Sequence, residues 1–136
     1  MTAASTRPVV LDISALLYWT LEPSALTAAA RTAIDTALPR AGCVVSAISL
    51  WEIALKARQG RLQLGLTPVE FADRLARVKG LEIRAVDTRT WLHSVGLDWA
   101  HRDPADRVIV ATAALLRAPL VTSDAEIRGF YAGGVW

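Results

Sequence analysis

Acidic residues recur in this chain where an apolar segment stops or a helix starts, and four of them are placed to act together. Asp12 follows Val9-Val10-Leu11, Glu52 closes Ser49-Leu50-Trp51-Glu52, Asp106 closes Asp103-Pro104-Ala105-Asp106, and Asp124 follows Leu120-Val121-Thr122-Ser123. Carboxylates gathered in a cleft of low dielectric repel one another and demand protons, hydrogen-bond donors or a divalent cation. A hard cation is the natural solution, because carboxylate oxygens are the preferred ligands of magnesium and, in its place, manganese. Each acid also has a plainer use. Ser49 and Glu52 have the spacing of a capping box, Asp103 can cap a helix with Asp106 at its third position, and Asp12 and Asp124 can each cap the helix that follows. The chemical reading rests on four placements agreeing.

The remaining reactive residue types carry less. Cys43 is the only cysteine, so no intramolecular disulfide can form, and its apolar neighbours Val44 and Val45 make it a buried strand residue. His93 and His101 do not compose an acid/base pair. His93 falls on a helix, and His101 is read as structural or surface, with support of the acids or contact with substrate as its alternative. The net charge of +2 comes from 15 basic and 13 acidic residues, and nearly all the bases are arginines. That excess permits a polyanionic partner through bidentate guanidinium–phosphate pairing without demanding one.

The elements that must position the acids follow from short apolar runs and their punctuation. Val9–Leu11 reads as a buried strand after Pro8, and Ser14 offers a cap for a helix over Ala15 to Trp19. Pro23 and Ser24 open a second helix that runs to about Leu38, and Cys43 to Val45 is the next strand. Ser46 precedes a helical segment Leu50 to Ala57 that Gly60 stops. Thr67-Pro68-Val69-Glu70 has the cap, first-turn proline and acidic third position of a helix whose apolar face is Phe71, Leu75 and Val78. Leu81 to Val86 reads as a strand, Asp87 or Thr88 begins a helix through Val95, and Asp103-Pro104 begins another that continues to about Leu116. Leu120 to Thr122 is a fourth strand, Ala125 to Phe130 a short helix, and Gly133 to Trp136 a fifth, edge strand.

Alternating strands and helices of this kind make an α/β domain with a mostly parallel sheet of four to five short strands, covered on both faces in three α/β/α layers. With 53% hydrophobic and 21% charged residues, one domain over residues 1–136 is expected, and disorder is excluded. The opening segment Met1 to Pro8 has no long apolar stretch, and the run Val108 to Leu116 is too short to span a bilayer. The expected setting is therefore the cytoplasm, with no membrane attachment. In such sheets the carboxyl ends of the strands form the ligand crevice. Asp12 and Asp124 lie just past strands and Glu52 and Asp106 early in helices, so all four can converge there.

At this point the sequence closely resembles the PIN-domain family, and within it the VapC-like toxin ribonucleases of bacterial toxin–antitoxin pairs. The resemblance spans almost the whole chain. Its marks are Val10-Leu11-Asp12 with Ala15-Leu16-Leu17-Tyr18-Trp19, then Ser46-Ala47-Ile48-Ser49-Leu50-Trp51-Glu52-Ile53. Later come His101-Arg102-Asp103-Pro104-Ala105-Asp106-Arg107 with Ile109-Val110-Ala111-Thr112-Ala113, and Leu120-Val121-Thr122-Ser123-Asp124.

The resemblance implies that Asp12, Glu52, Asp106 and Asp124 line a metal-binding cleft, Glu52 acting through a water molecule. Asp103 is secondary, and Ser14, Ser46, Thr122 and Ser123 are expected to support the ligands by hydrogen bonds. Family members usually carry threonine directly after the first aspartate. Here that position is Ile13 and the hydroxyl comes at Ser14. The implied chemistry is hydrolysis of RNA phosphodiesters by water activated on magnesium or manganese. Lys56, Arg58, Arg61, Arg102 and Arg107 are the candidate phosphate contacts, while Trp19 and Trp51 are read as packed aromatics before base-stacking ones. The resemblance further implies a cognate antitoxin protein and a homodimer formed through helices. Two other classes compete. A phosphohydrolase using Asp12 would share the sheet and the cation, but the sequence has no aspartate two residues later. A noncatalytic interaction domain would explain the caps alone.

Overall fold

The computed structural model describes residues 7–136, and the opening residues 1–6, on which the expected absence of a signal segment partly rests, lie outside the described residues. Five strands, β1 (Val9–Leu11), β2 (Cys43–Ser46), β3 (Leu81–Arg84), β4 (Leu120–Val121) and β5 (Gly134–Val135), form one sheet in the order β3-β2-β1-β4-β5. Every neighbouring pair is parallel. Among the described residues seven α-helices connect the strands: α1 (Ile13–Leu21), α2 (Ala28–Ala37), α3 (Ala47–Arg58), α4 (Pro68–Ala76), α5 (Thr88–Val95), α6 (Pro104–Leu116) and α7 (Ala125–Phe130).

The strands read as unbroken apolar runs because both faces of the sheet are covered. Val9, Leu11, Cys43, Val45 and Val121 point into one core, shared with Leu16, Ile34, Ile53 and Phe71 of α1 to α4. Val10, Val44 and Leu120 point into the other, shared with Val108, Ile109 and Ala113 of α6 and Ile127 of α7. The period of two along each strand thus divides its residues between two cores and yields the expected α/β/α layers. Cys43 is fully buried, and its thiol is pushed up to about 12 by that burial. Among the described residues no helix is long and apolar enough to cross a membrane.

The chain lays down β1, β2 and β3 outward on one side, then returns past β1 to place β4 on the other. The crevice between the carboxyl ends of β1 and β4 is therefore the point where strand order reverses, the usual ligand position in open sheets.

Three helix starts differ from the sequence expectation, each because a different oxygen wins the cap. The second helix does not start at Pro23. Residues Pro23–Ala25 form a single 3-10 turn, and α2 begins after Thr27, whose side chain accepts from Ala30 N at 3.1 Å. Helix α1 is capped by Asp12 rather than Ser14. Helix α3 starts at Ala47 under Ser46, which accepts from Ile48 N at 3.3 Å, so Ser49 sits inside the helix, fully buried, and the Ser49–Glu52 capping box does not form. Strand β3 stops at Arg84, two residues short of expectation.

Candidate active site

The end of β1 and the end of β4 bring Asp12 and Asp124 to the switch point. Asp12 N donates to Val121 O at 3.1 Å, which ties the two strand ends together. Asp12 is 3% exposed. Its Oδ1 accepts from Ser14 Oγ at 2.7 Å and from Ala15 N at 2.8 Å, and its Oδ2 accepts a short bond from Thr122 Oγ1. Thr122 Oγ1 in turn accepts from Asp124 N at 3.0 Å, and Ser14 Oγ accepts from Ser123 N at 3.0 Å. The hydroxyl absent at Ile13 is thus supplied one residue later, where Ser14 bridges Asp12 to the β4 loop. Ser123 takes part through its backbone. Ser46 serves as the cap of α3.

Asp106 and Glu52 reach the same place from helices. Asp103 caps α6, its Oδ1 accepting from Asp106 N at 3.0 Å, and the first-turn Pro104 fixes the helix entry. Glu52 stands in the second turn of α3, freed from capping by the earlier helix start. A groove of about 370 Å³ is lined by Asp12, Glu52, Asp103, Asp106 and Asp124, together with Ser14, Tyr18 and Lys56. All four acids selected from the sequence therefore share one surface, and three of them also cap or open a helix. An apolar recess of about 610 Å³ adjoins it through Glu52, lined by Trp51, Trp91, Ile48, Leu55 and Val86. Trp51, expected to be packed, is 62% exposed there.

The electrostatics match carboxylates held against their preference. Burial raises the Asp12 pKa against the opposition of its three hydrogen bonds, and the charge of Asp124 adds to the rise. Asp106 is pushed up to about 6, first by burial and then by Asp103 and Asp124, while His101 opposes. His101 stands with Nε2 2.7 Å from Asp106 Oδ2 and Nδ1 2.5 Å from Glu126 Oε2, and its bond to Asp106 raises its pKa. Oxygen-only donors around a groove with Lys56 as its lining cation suit a hard divalent ion in kind. Among the described residues no three acidic, histidine or cysteine side chains stand together closely enough to hold an ion as placed.

The proposed phosphate contacts separate. Lys56 lines the groove, and Arg102 is exposed just before Asp103. Arg58 borders a different recess, beside Leu62 to Leu66, and Arg61 is exposed with its guanidinium toward Gln59. Arg107 is a correction. Its Nε, Nη1 and Nη2 donate to the carbonyls of Ser94, Val95, Leu97, Trp99 and His101, which engages all five of its N–H groups inside the molecule. It shapes the loop before α6 instead of facing a substrate. Glu126 was not singled out in the sequence, because nothing local marks a residue that meets His101 only through the packing of α7.

Residues 9–132 match the profile of the PIN domain. The chain belongs to the PIN-domain family. As a PIN domain it is 37% identical, over 123 residues covering 88% of this chain and 89% of the other, to ribonuclease VapC22 of Mycobacterium tuberculosis. Its fold is similar to a chain of a toxin–antitoxin complex from Klebsiella pneumoniae, with a TM-score of 0.63 and 19% identity over 94% of this chain and 96% of that one. It is also similar to FitAcB from Neisseria gonorrhoeae, with a TM-score of 0.59 and 20% identity over 92% of each chain. Those two likenesses concern the fold of this PIN domain.

Proposed function

We propose that this PIN domain is a magnesium- or manganese-dependent endoribonuclease and the toxin of a type II toxin–antitoxin pair. The observation that carries the reading is the convergence of Asp12, Glu52, Asp106 and Asp124 on one groove at the switch point of the sheet. Family membership and the likeness to a ribonuclease supply the reaction class. Asp12, Asp106 and Asp124, with Glu52 beside them, are the residues that would hold the ion. A hard cation bound there would supply Lewis acidity, activating the attacking water and screening charge on the scissile phosphate.

The chain's own groups do the rest. Thr122, Ser14 and Ala15 N fix the Asp12 carboxylate so that it cannot turn away from its acidic neighbours. Lys56 and Arg102 offer cations for flanking phosphates. No histidine pair is needed, since water and not the ribose 2′-hydroxyl is the nucleophile. The exposed apolar side chains Trp51, Trp91, Leu92 and Val95 of α3 and α5 are the surface we assign to a second copy in a homodimer, while an antitoxin protein restrains the free enzyme. The test is single-turnover cleavage of cellular RNA by purified chain freed of any partner. Cleavage should require magnesium or manganese and fall at least about 100-fold in Asp12→Asn and Asp106→Asn, by analogy with the loss of one strongly stabilising group. Equal rates in wild type and both variants would dismiss the assignment.

A further inference from the structure

Beyond the four acids, a chain of side chains runs from Asp106 through His101 to Glu126. The imidazole places Nε2 2.7 Å from Asp106 Oδ2 and Nδ1 2.5 Å from Glu126 Oε2. The Nε2 contact to Asp106 is a hydrogen bond, and Glu126 stands against Nδ1 as the charge partner of a protonated ring. The ring itself is located by three elements. Trp99 packs against it with the rings tilted by 32° and 4.5 Å between centroids, and Trp99 stacks in turn on Phe130 of α7 at 4.7 Å with the planes nearly parallel at 11°. Arg107 of α6 holds the His101 carbonyl at 3.0 Å. The His101 side chain is 18% exposed, whereas that of Glu126 is 61% exposed and does not line the groove.

We propose that His101, clamped by Glu126, is a positioning residue that locks the Asp106 carboxylate through Oδ2 and leaves Oδ1 for a cation in the groove. This rests on the metal-dependent reading above. Without the clamp, Asp103 and Asp124 repel Asp106, and a side chain in the first turn of a helix is free to rotate outward. The bond from His101 offsets that repulsion and removes the rotamers in which the ligand is lost. Glu126 contacts neither the groove nor Asp106, so it acts only by fixing the orientation of the ring.

The experiment measures manganese affinity, by the electron paramagnetic resonance of the free ion, alongside single-turnover RNA cleavage at saturating metal. It uses the full chain as wild type, His101→Ala, His101→Gln, Glu126→Gln, the His101→Ala/Glu126→Gln double variant and Asp106→Asn. His101→Ala should weaken manganese binding about 10- to 100-fold, the range for groups that orient a metal ligand. Glu126→Gln should weaken it about threefold or more, yet add nothing in the His101→Ala background. His101→Gln, which keeps one donor toward Asp106, should recover part of the affinity. If His101→Ala fails to fold, Glu126→Gln decides alone, since its exposed side chain can change without disturbing a core. Wild-type affinity in Glu126→Gln and His101→Ala beside a large loss in Asp106→Asn would overturn the clamp and leave the metal site standing. Fully additive losses would also overturn it. A wild type that neither binds manganese nor cleaves RNA would remove the underlying reading together with the clamp.

Discussion

At Asp12 a carboxylate that burial drives toward its neutral form is held by three hydrogen bonds, and the balance between them sets what its replacement does. In Asp12→Asn the amide oxygen still accepts from Ala15 N and Ser14, the amide nitrogen faces Thr122 Oγ1, and the charge is gone. Without metal near neutral pH, the variant is expected to melt at the wild-type temperature or above it. It should gain less from magnesium, because a ligand stabilises the folded state by RT ln(1 + [ligand]/Kd) and the amide weakens the site. Calorimetry with and without magnesium checks both. A strongly destabilised variant with an undiminished magnesium gain would make Asp12 a cap and nothing more. Asp12, Asp106 and His101 set the pH dependence. All three have folded-state values raised, so each contributes stability in full below its ordinary value and loses it as pH rises through the folded one. For Asp106 that window runs from 3.8 to about 6, and for His101 it opens at 6.5 and extends upward. Glu70 and Asp87, whose capping bonds lower their values, act only below 4.5 and 3.8. Denaturant midpoints of the metal-free protein should therefore fall as pH climbs from about 4.5 through neutrality. A midpoint that rises across this range would contradict the assigned environments.

The helix starts carry two roles at once, and that is why they were legible as positions but ambiguous as chemistry. A carboxylate at a strand end or in a first turn satisfies backbone donors whether or not it also faces a cation, so Asp12, Asp103 and Asp124 cap in the structure as any sequence reading allows. Exact starts were less legible where several oxygen-bearing residues compete. Ser46 outdoes Ser49, and Thr27 outdoes Ser24, because the preceding backbone leaves the strand or turn at those residues. The two acids at the start of α6 can be told apart. Asp103→Asn keeps a capping oxygen and should retain most activity, whereas Asp106→Asn should lose nearly all of it with little change in stability. Single-turnover rates beside melting curves test this, and the reverse ranking would move the ligand to Asp103. The loop before α6 depends on Arg107. Arg107→Ala removes a donor from each of five carbonyls and should cost about 2 to 3 kcal/mol, with early loss of amide protection in residues 94–101. Arg107→Lys should not restore it, since an ammonium cannot reach the same spread of acceptors. Equilibrium unfolding and hydrogen exchange decide, and a neutral Arg107→Ala would show that the loop holds itself.

Across the whole molecule, the order β3-β2-β1-β4-β5 turns acids scattered along the chain into neighbours. That much could be read in advance, because strands buried on both faces appear as short apolar runs and their carboxyl ends are where a parallel sheet binds. The His101–Glu126 contact could not, since it exists only once α7 packs beside the loop before α6. Nor was the exposure of Trp51 evident, because an aromatic on a helix is more often inside. Together with Trp91, Leu92 and Val95 it leaves an apolar face on α3 and α5 that water does not favour. Trp51→Glu with Trp91→Glu should shift the sedimentation of the purified protein from dimer to monomer, and an unchanged dimer would place the interface elsewhere. The central claim, that water activated on a cation in the Asp12 groove cuts RNA, is tested most directly by the chemistry of the new ends. Cleavage products from the wild type with magnesium should carry 5′-phosphate and 3′-hydroxyl groups, and should vanish after chelation and in Asp12→Asn. Abundant 2′,3′-cyclic phosphate ends that depend on this chain, or full cleavage after rigorous chelation, would contradict it.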